Sequence, residues 1–113
     1  MAGHDPGGEP MKEYDLYVPL HSNDGTPIPT AQLARLKKRL IQRFGGLTQF
    51  PQSHEGFWEI GSVTFRDKIL ILRVLSKESP GESRRFWRQI KTTLKQQWGQ
   101  QEILIVAKEI TLT

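Results

Sequence analysis

The order in which apolar residues change period along the chain constrains its fold more than any other feature. Residues 14–20 alternate, with Tyr14, Leu16, Val18 and Leu20 on one face and Asp15, Tyr17 and Pro19 on the other. That is the period-two pattern of a strand, and Pro19, which lacks a backbone donor, belongs at its end. From Thr30 the period becomes helical. Leu33, Leu36, Leu40, Ile41 and Phe44 form one apolar stripe, with Thr30 as the expected cap and Gly45-Gly46 as the stop. Residues 47–51 read as a strand and 53–56 as a turn or bulge. Segments 57–60 and 63–66 then flank Gly61-Ser62, a pair suited to a two-residue hairpin turn. Residues 68–75 form the most apolar strand, with Asp67 marking a bulge before it.

A second helix is announced by Ser79-Pro80-Gly81-Glu82. Ser79 can accept from the backbone three residues on, while proline at the first helical position gives up an N–H that has no partner there. Phe86, Trp87, Ile90, Leu94 and Trp98 make its buried stripe, Gly99 closes it, and residues 102–112 form the last strand. Strand, helix, strand, strand, helix, strand has few compact solutions, because crossovers between parallel strands are almost always right-handed. The expected fold is α+β: a ferredoxin-like βαββαβ sandwich with a four-stranded antiparallel sheet in order 4-1-3-2 and both helices on one face.

Residues 13–113 make a single domain on this reading, and the Gly/Pro-rich residues 1–12 a disordered tail. The chain has no cysteine, which removes disulfides and thiolate metal sites. Its three histidines, His4, His21 and His54, are scattered, so neither a metal nor another cofactor is expected. No apolar run approaches the roughly 20 residues of a membrane span. The N-terminus also lacks the basic and apolar segments of a secretory signal, and the expected location is the cytoplasm.

The formal charge of +4 hides an asymmetry. Arg35, Lys37, Lys38, Arg39 and Arg43 lie in the first helix, and Arg84, Arg85, Arg88, Lys91 and Lys95 in the second; Glu82 is the only acid within either. Helices on the same side of a sheet would merge these stripes into one basic patch, suited to a polyanion. Arg35, Lys38, Arg39, Arg84, Arg88, Lys91 and Lys95 are the candidate anion or nucleic-acid contacts. Lysine and arginine are also good helix formers, so the same run reads equally as a solvated surface. A plain solvated helix would mix signs to gain i, i+4 pairs, which this one does not.

The strands leave a second apolar face. Leu70, Leu72 and Val74 point one way, and Ile69, Ile71 and Leu75 the other; Leu104 and Val106 oppose Ile103, Ile105 and Ala107. Helices cover one face, and a second copy of the chain packed sheet to sheet is the expected cover of the other, with Trp58, the tail or the hairpin as the competing cover. A pocket between the sheets would contain Asp15, Tyr17 and Arg73, with His54 and Trp58 at its rim. Asp15, Tyr17 and His54 have titratable groups but no diagnostic spacing, so no catalytic residue is assigned.

Two resemblances bear on the residues. Leu16-Tyr17-Val18-Pro19-Leu20 looks like the first-strand signature of RNA-recognition motifs, but the third-strand counterpart, 58–65, puts Ile60 and Ser62 where stacking aromatics belong. Phe44-Gly45-Gly46-Leu47-Thr48, then Pro51, then Gly56-Phe57-Trp58 resembles small bacterial proteins of unknown function with a helix–FGGLT–strand–GxW arrangement. That resemblance implies a ferredoxin-like fold and no established activity. The resulting expectation is a non-enzymatic, homodimeric domain whose basic helical face contacts an anionic partner, nucleic acid or an acidic protein. The alternative is a dimeric protein that binds or transforms a small molecule in a sheet-face pocket.

Overall fold

A computed structural model describes residues 9–22, 24–60 and 63–113, the side chains of residues 9, 53–58, 60 and 63–67 excepted. Its elements are β1 (Glu9–Pro19), α1 (Thr30–Phe44), β2 (Thr48–Ile60), β3 (Val63–Ser76), α2 (Pro80–Trp98) and β4 (Leu104–Leu112). The fold is α+β, with one antiparallel sheet in which β1 and β3 are central. The order along the sheet is β2-β3-β1-β4, which is 4-1-3-2 counted from the other edge.

Period-two burial sets the two faces. Tyr14, Leu16 and Val18 of β1 and Leu70, Leu72 and Val74 of β3 are buried with Leu36 and Leu40 of α1 and Phe86, Trp87, Ile90, Leu94 and Trp98 of α2. Both helices therefore pack on this face. Each such leucine or valine removed from water contributes about 1.5–3 kcal/mol. At one end of this core Phe44 stacks on Trp87, with centroids 5.6 Å apart, and meets Phe86 edge-on at 5.3 Å. Offset and edge contacts of this kind suit the ring quadrupole.

The helix ends follow local chemistry, with one difference. Ser79 is the cap of α2 and accepts from the Glu82 N–H at 3.4 Å. Gly45 and Gly99 take left-handed conformations, φ 85° and 59°, that side chains with a Cβ rarely adopt. Thr30 is not the cap of α1. Pro29 is, in extended backbone and without a side-chain bond, its carbonyl accepting from Gln32 and Leu33. In the preceding loop Asp24 accepts from the Ser22 hydroxyl and the Thr26 N–H, bonds that lower its carboxyl to about 2.

β1 starts at Glu9, five residues before the alternating segment, because β4 runs far enough to pair Glu9 with Leu112. Residues 9–12 thus belong to the sheet, while residues 1–8 of the expected tail lie outside the described residues. The β2–β3 register shifts between Ser53 and Phe57, so residues 54–56 stand opposite Asp67 and form the irregularity read from both segments. The Gly61-Ser62 turn lies outside the described residues. Among the described residues, no helix is long and apolar enough to cross a membrane.

Candidate functional site

The face without helices is built from the odd-numbered residues of β1 and β3. Ile69 and Ile71 are buried there, with Tyr17, Phe50 and Leu104 packed against them. Into this apolar setting the central strands bring charge. Asp15 and Arg73 are direct cross-strand partners, and Arg73 donates through Nε to Oδ1 at 2.8 Å and through Nη2 to Oδ2 at 2.9 Å. This two-pronged geometry is the strongest form of the pair.

Glu13, two residues before Asp15 and so on the same face, lies 3.3 Å from Arg73 Nε and 3.3 Å from Lys108 Nζ of β4. Both carboxylates are buried, at 8% and 9% exposure. Arg73 sits 4.7 Å over the Phe50 ring. The bond to Asp15 holds its guanidinium pKa above the ordinary value, with the nearby Glu13 and Tyr17 adding to this against the cost of burial. Arg73 thus stays charged at any working pH, with its fork fixed on one side by Asp15 and its plane supported by Phe50.

Of the candidate pocket residues, the structure brings together Asp15, Tyr17 and Arg73. His54 and Trp58 belong to β2, but their side chains lie outside the described residues. Sequence reasoning missed Glu13, Phe50 and Lys108. Glu13 was within reach, since period two places it beside Asp15; Phe50 and Lys108 depend on strand register, which no local pattern reveals. Among the described residues no group of three or more His, Asp or Glu is placed to hold a metal ion.

The basic residues do not form one uniform surface. Arg43 meets Glu78 at 2.8 Å, and Arg39 and Arg43 lie 5.4 and 5.0 Å over Phe86. Lys91 and Lys95 meet Glu102 at 3.7 and 3.5 Å. Glu102 also accepts from the Ile103 N–H, and that bond, more than the two lysines, lowers its carboxyl below the usual range. Arg35 and Arg39 line a groove between the helices, Arg84, Arg88 and Lys91 a different one against β4, and Lys38 a shallow hollow on α1. Acids absent from the helical segments arrive from Glu78 and Glu102 in the connections that follow β3 and α2.

No protein-family model and no curated protein matches the sequence. Among solved structures the chain is similar to a phage SAM lyase in complex with S-methyl-5'-thioadenosine. The identity is 13% and the TM-score 0.59, and the alignment covers 99% of this chain and 97% of that one. The likeness is one of fold along the full length. It overturns the expectation of a non-enzymatic module for an anionic partner: the neighbour is an enzyme of small molecules, and the helical cations that motivated the expectation are partly engaged by Glu78, Glu102 and Phe86.

Proposed function

We propose that the chain is a ferredoxin-like domain that binds a small nucleoside-type molecule on its helix-free sheet face, in a pocket closed by a second copy of the chain. The observation that carries this reading is the Asp15–Arg73–Glu13 cluster, buried on a sheet face that neither helix covers. Ligand sites are mostly apolar with a few fixed polar groups. Ile69, Ile71 and Leu104 provide apolar walls, Tyr17 and Phe50 provide rings for a purine to lie against, and Arg73 provides donors beyond those that Asp15 occupies. S-methyl-5'-thioadenosine, bound by the neighbour, and SAM have the matching chemistry: a flat base, a hydroxyl-rich sugar and a sulfur centre.

Calorimetric titration should show S-methyl-5'-thioadenosine or SAM binding the wild-type chain in the micromolar range. Tyr17→Ala should weaken that binding about tenfold, the loss of one stacking surface. Absence of binding at millimolar ligand would overturn the reading. Chromatography of SAM incubated with the protein then shows whether the site also releases the thioether.

The second copy has its own check. Light scattering at micromolar concentration is expected to give twice the chain mass of 13.0 kDa. Apolar faces of this kind are rarely left in water on monomers. A clean monomer that still binds the nucleoside would place the cover within the chain instead.

A further inference from the structure

The sheet ends on β2 at one side and on β4 at the other, and the two edges are built differently. β2 carries Pro51, which has no N–H to offer, and a register shift between Ser53 and Phe57. Both features discourage a further strand from adding on. β4 has neither. Its nine residues, Leu104–Leu112, contain no proline or glycine and pair with β1 without interruption. Among the described residues no strand lies on its outer side, so a row of backbone donors and acceptors there is open to a partner.

The side chains agree with the backbone. Among the described residues the exposed large apolar side chains are Ile41, Val106 and Leu112, and the last two lie on β4. They share the helix-free face with Leu104, Lys108 and Ile110, and Leu104 packs there against Tyr17. A lysine on an edge strand usually repels a further strand, but Lys108 is drawn back across the sheet to Glu13, at 3.3 Å. Turned end over end about Lys108, the strand matches itself. Leu104 then meets Leu112 and Val106 meets Ile110 on the helix-free face, while Ile105 meets Thr111 and Ala107 meets Glu109 on the other. Like charges meet only at Lys108, where each lysine keeps its own Glu13.

We infer that the second copy is held along this edge, β4 against β4 in antiparallel pairing about a two-fold axis at Lys108. The inference rests on the dimeric site proposed above and assigns what the second copy adds to it. Tyr17 stands beside Leu104, and Asp15 beside Val106. The partner's Leu112 and the partner's Ile110 continue those two rows, and so wall the site on the side where a lone sheet would stop. A two-fold contact of this kind is self-complementary and closes on itself. The protected β2 edges then leave no open strand for further growth.

The chain has no cysteine, so single introduced cysteines report the register. Lys108→Cys should give a disulfide-linked dimer on mild oxidation, because opposed residues of antiparallel strands have Cα atoms about 4.5–5.5 Å apart. Ala107→Cys should not, since its counterpart is displaced along the strand beyond the roughly 7 Å that a disulfide can span. Val106→Lys with Leu112→Lys should weaken dimerisation about tenfold or more by light scattering, whereas Ile41→Lys on α1 should leave it unchanged. All these substitutions fall at exposed positions, and unchanged circular dichroism confirms folding. A wild-type monomer, cross-linking by Ala107→Cys in place of Lys108→Cys, or a dimer indifferent to the paired lysines would overturn the inference. A linked dimer that binds no nucleoside would uphold the edge contact and overturn the ligand reading alone.

Discussion

Trp98→Ala is expected to lower the unfolding free energy by about 4 kcal/mol, measured as a shift of the urea midpoint at constant slope. Trp98 is 2% exposed in the last turn of α2 and belongs to the main core. Its indole N–H donates to Gln32 Oε1 of α1 at 2.8 Å, so one side chain both fills the core and joins the two helices. Alanine would leave a cavity that the flanking helices can close only in part.

A finer contrast isolates the hydrogen bond. Trp87 is as deeply buried, but its N–H has no acceptor among the described residues. Trp98→Phe should therefore cost about 1 kcal/mol more than Trp87→Phe. Equal losses would show that the Gln32 bond contributes nothing beyond packing.

That pair of tryptophans also shows what the amino-acid sequence could reveal. Both lie on the helical stripe, so their burial followed from spacing, as did the helix stops at Gly45 and Gly99 and the inward face of β1. These are local properties, set by 3.6- and 2-residue periods and by glycine's tolerance of positive φ. The hydrogen bond from Trp98 to Gln32 spans 66 positions, and no period encodes it. Thr30 misled for a related reason. A threonine before an apolar stripe is a common cap, yet the chain enters α1 from Pro29, whose fixed φ and extended ψ supply the turn without any side chain.

Charge misled more seriously, because a tally along a segment counts neighbours in sequence and not in space. Within α1 and α2 the cations outnumber Glu82 heavily. In the fold, however, Glu78 reaches Arg43, and Glu102 reaches Lys91 and Lys95. The sheet face shows the reverse case. Asp15 and Arg73 were identifiable as residues of central strands, but their pairing required the β1–β3 register, which places them opposite each other across 58 positions. Register is fixed by the whole sheet, so Asp15 and Arg73 were visible as separate candidates and not as a pair, and Glu13 was not among them.

The second large effect is expected at that cluster. Arg73→Met should destabilise the fold by about 2–3 kcal/mol, somewhat under the 3–5 of a fully buried pair because the Arg73 side chain is 34% exposed. Most of the loss comes from what stays behind. Asp15 and Glu13 would face each other at 9% and 8% exposure, with only the outlying Lys108, 63% exposed, to offset them. Removing the stranded charge should then restore stability: Asp15→Asn added to Arg73→Met should recover about 1–2 kcal/mol, a coupling that a double-mutant cycle reads directly. Arg73→Lys should fall between, since it keeps the charge but loses the two-pronged bond and the flat contact with Phe50. A single-variant cost below about 0.5 kcal/mol, the level of an ordinary surface change, would mean that the cluster is solvated and the sheet face open. Nucleoside binding separates structure from site: the Asn/Met double variant, restored in stability, should still bind poorly, because the donors of Arg73 are gone while Tyr17 and Phe50 remain.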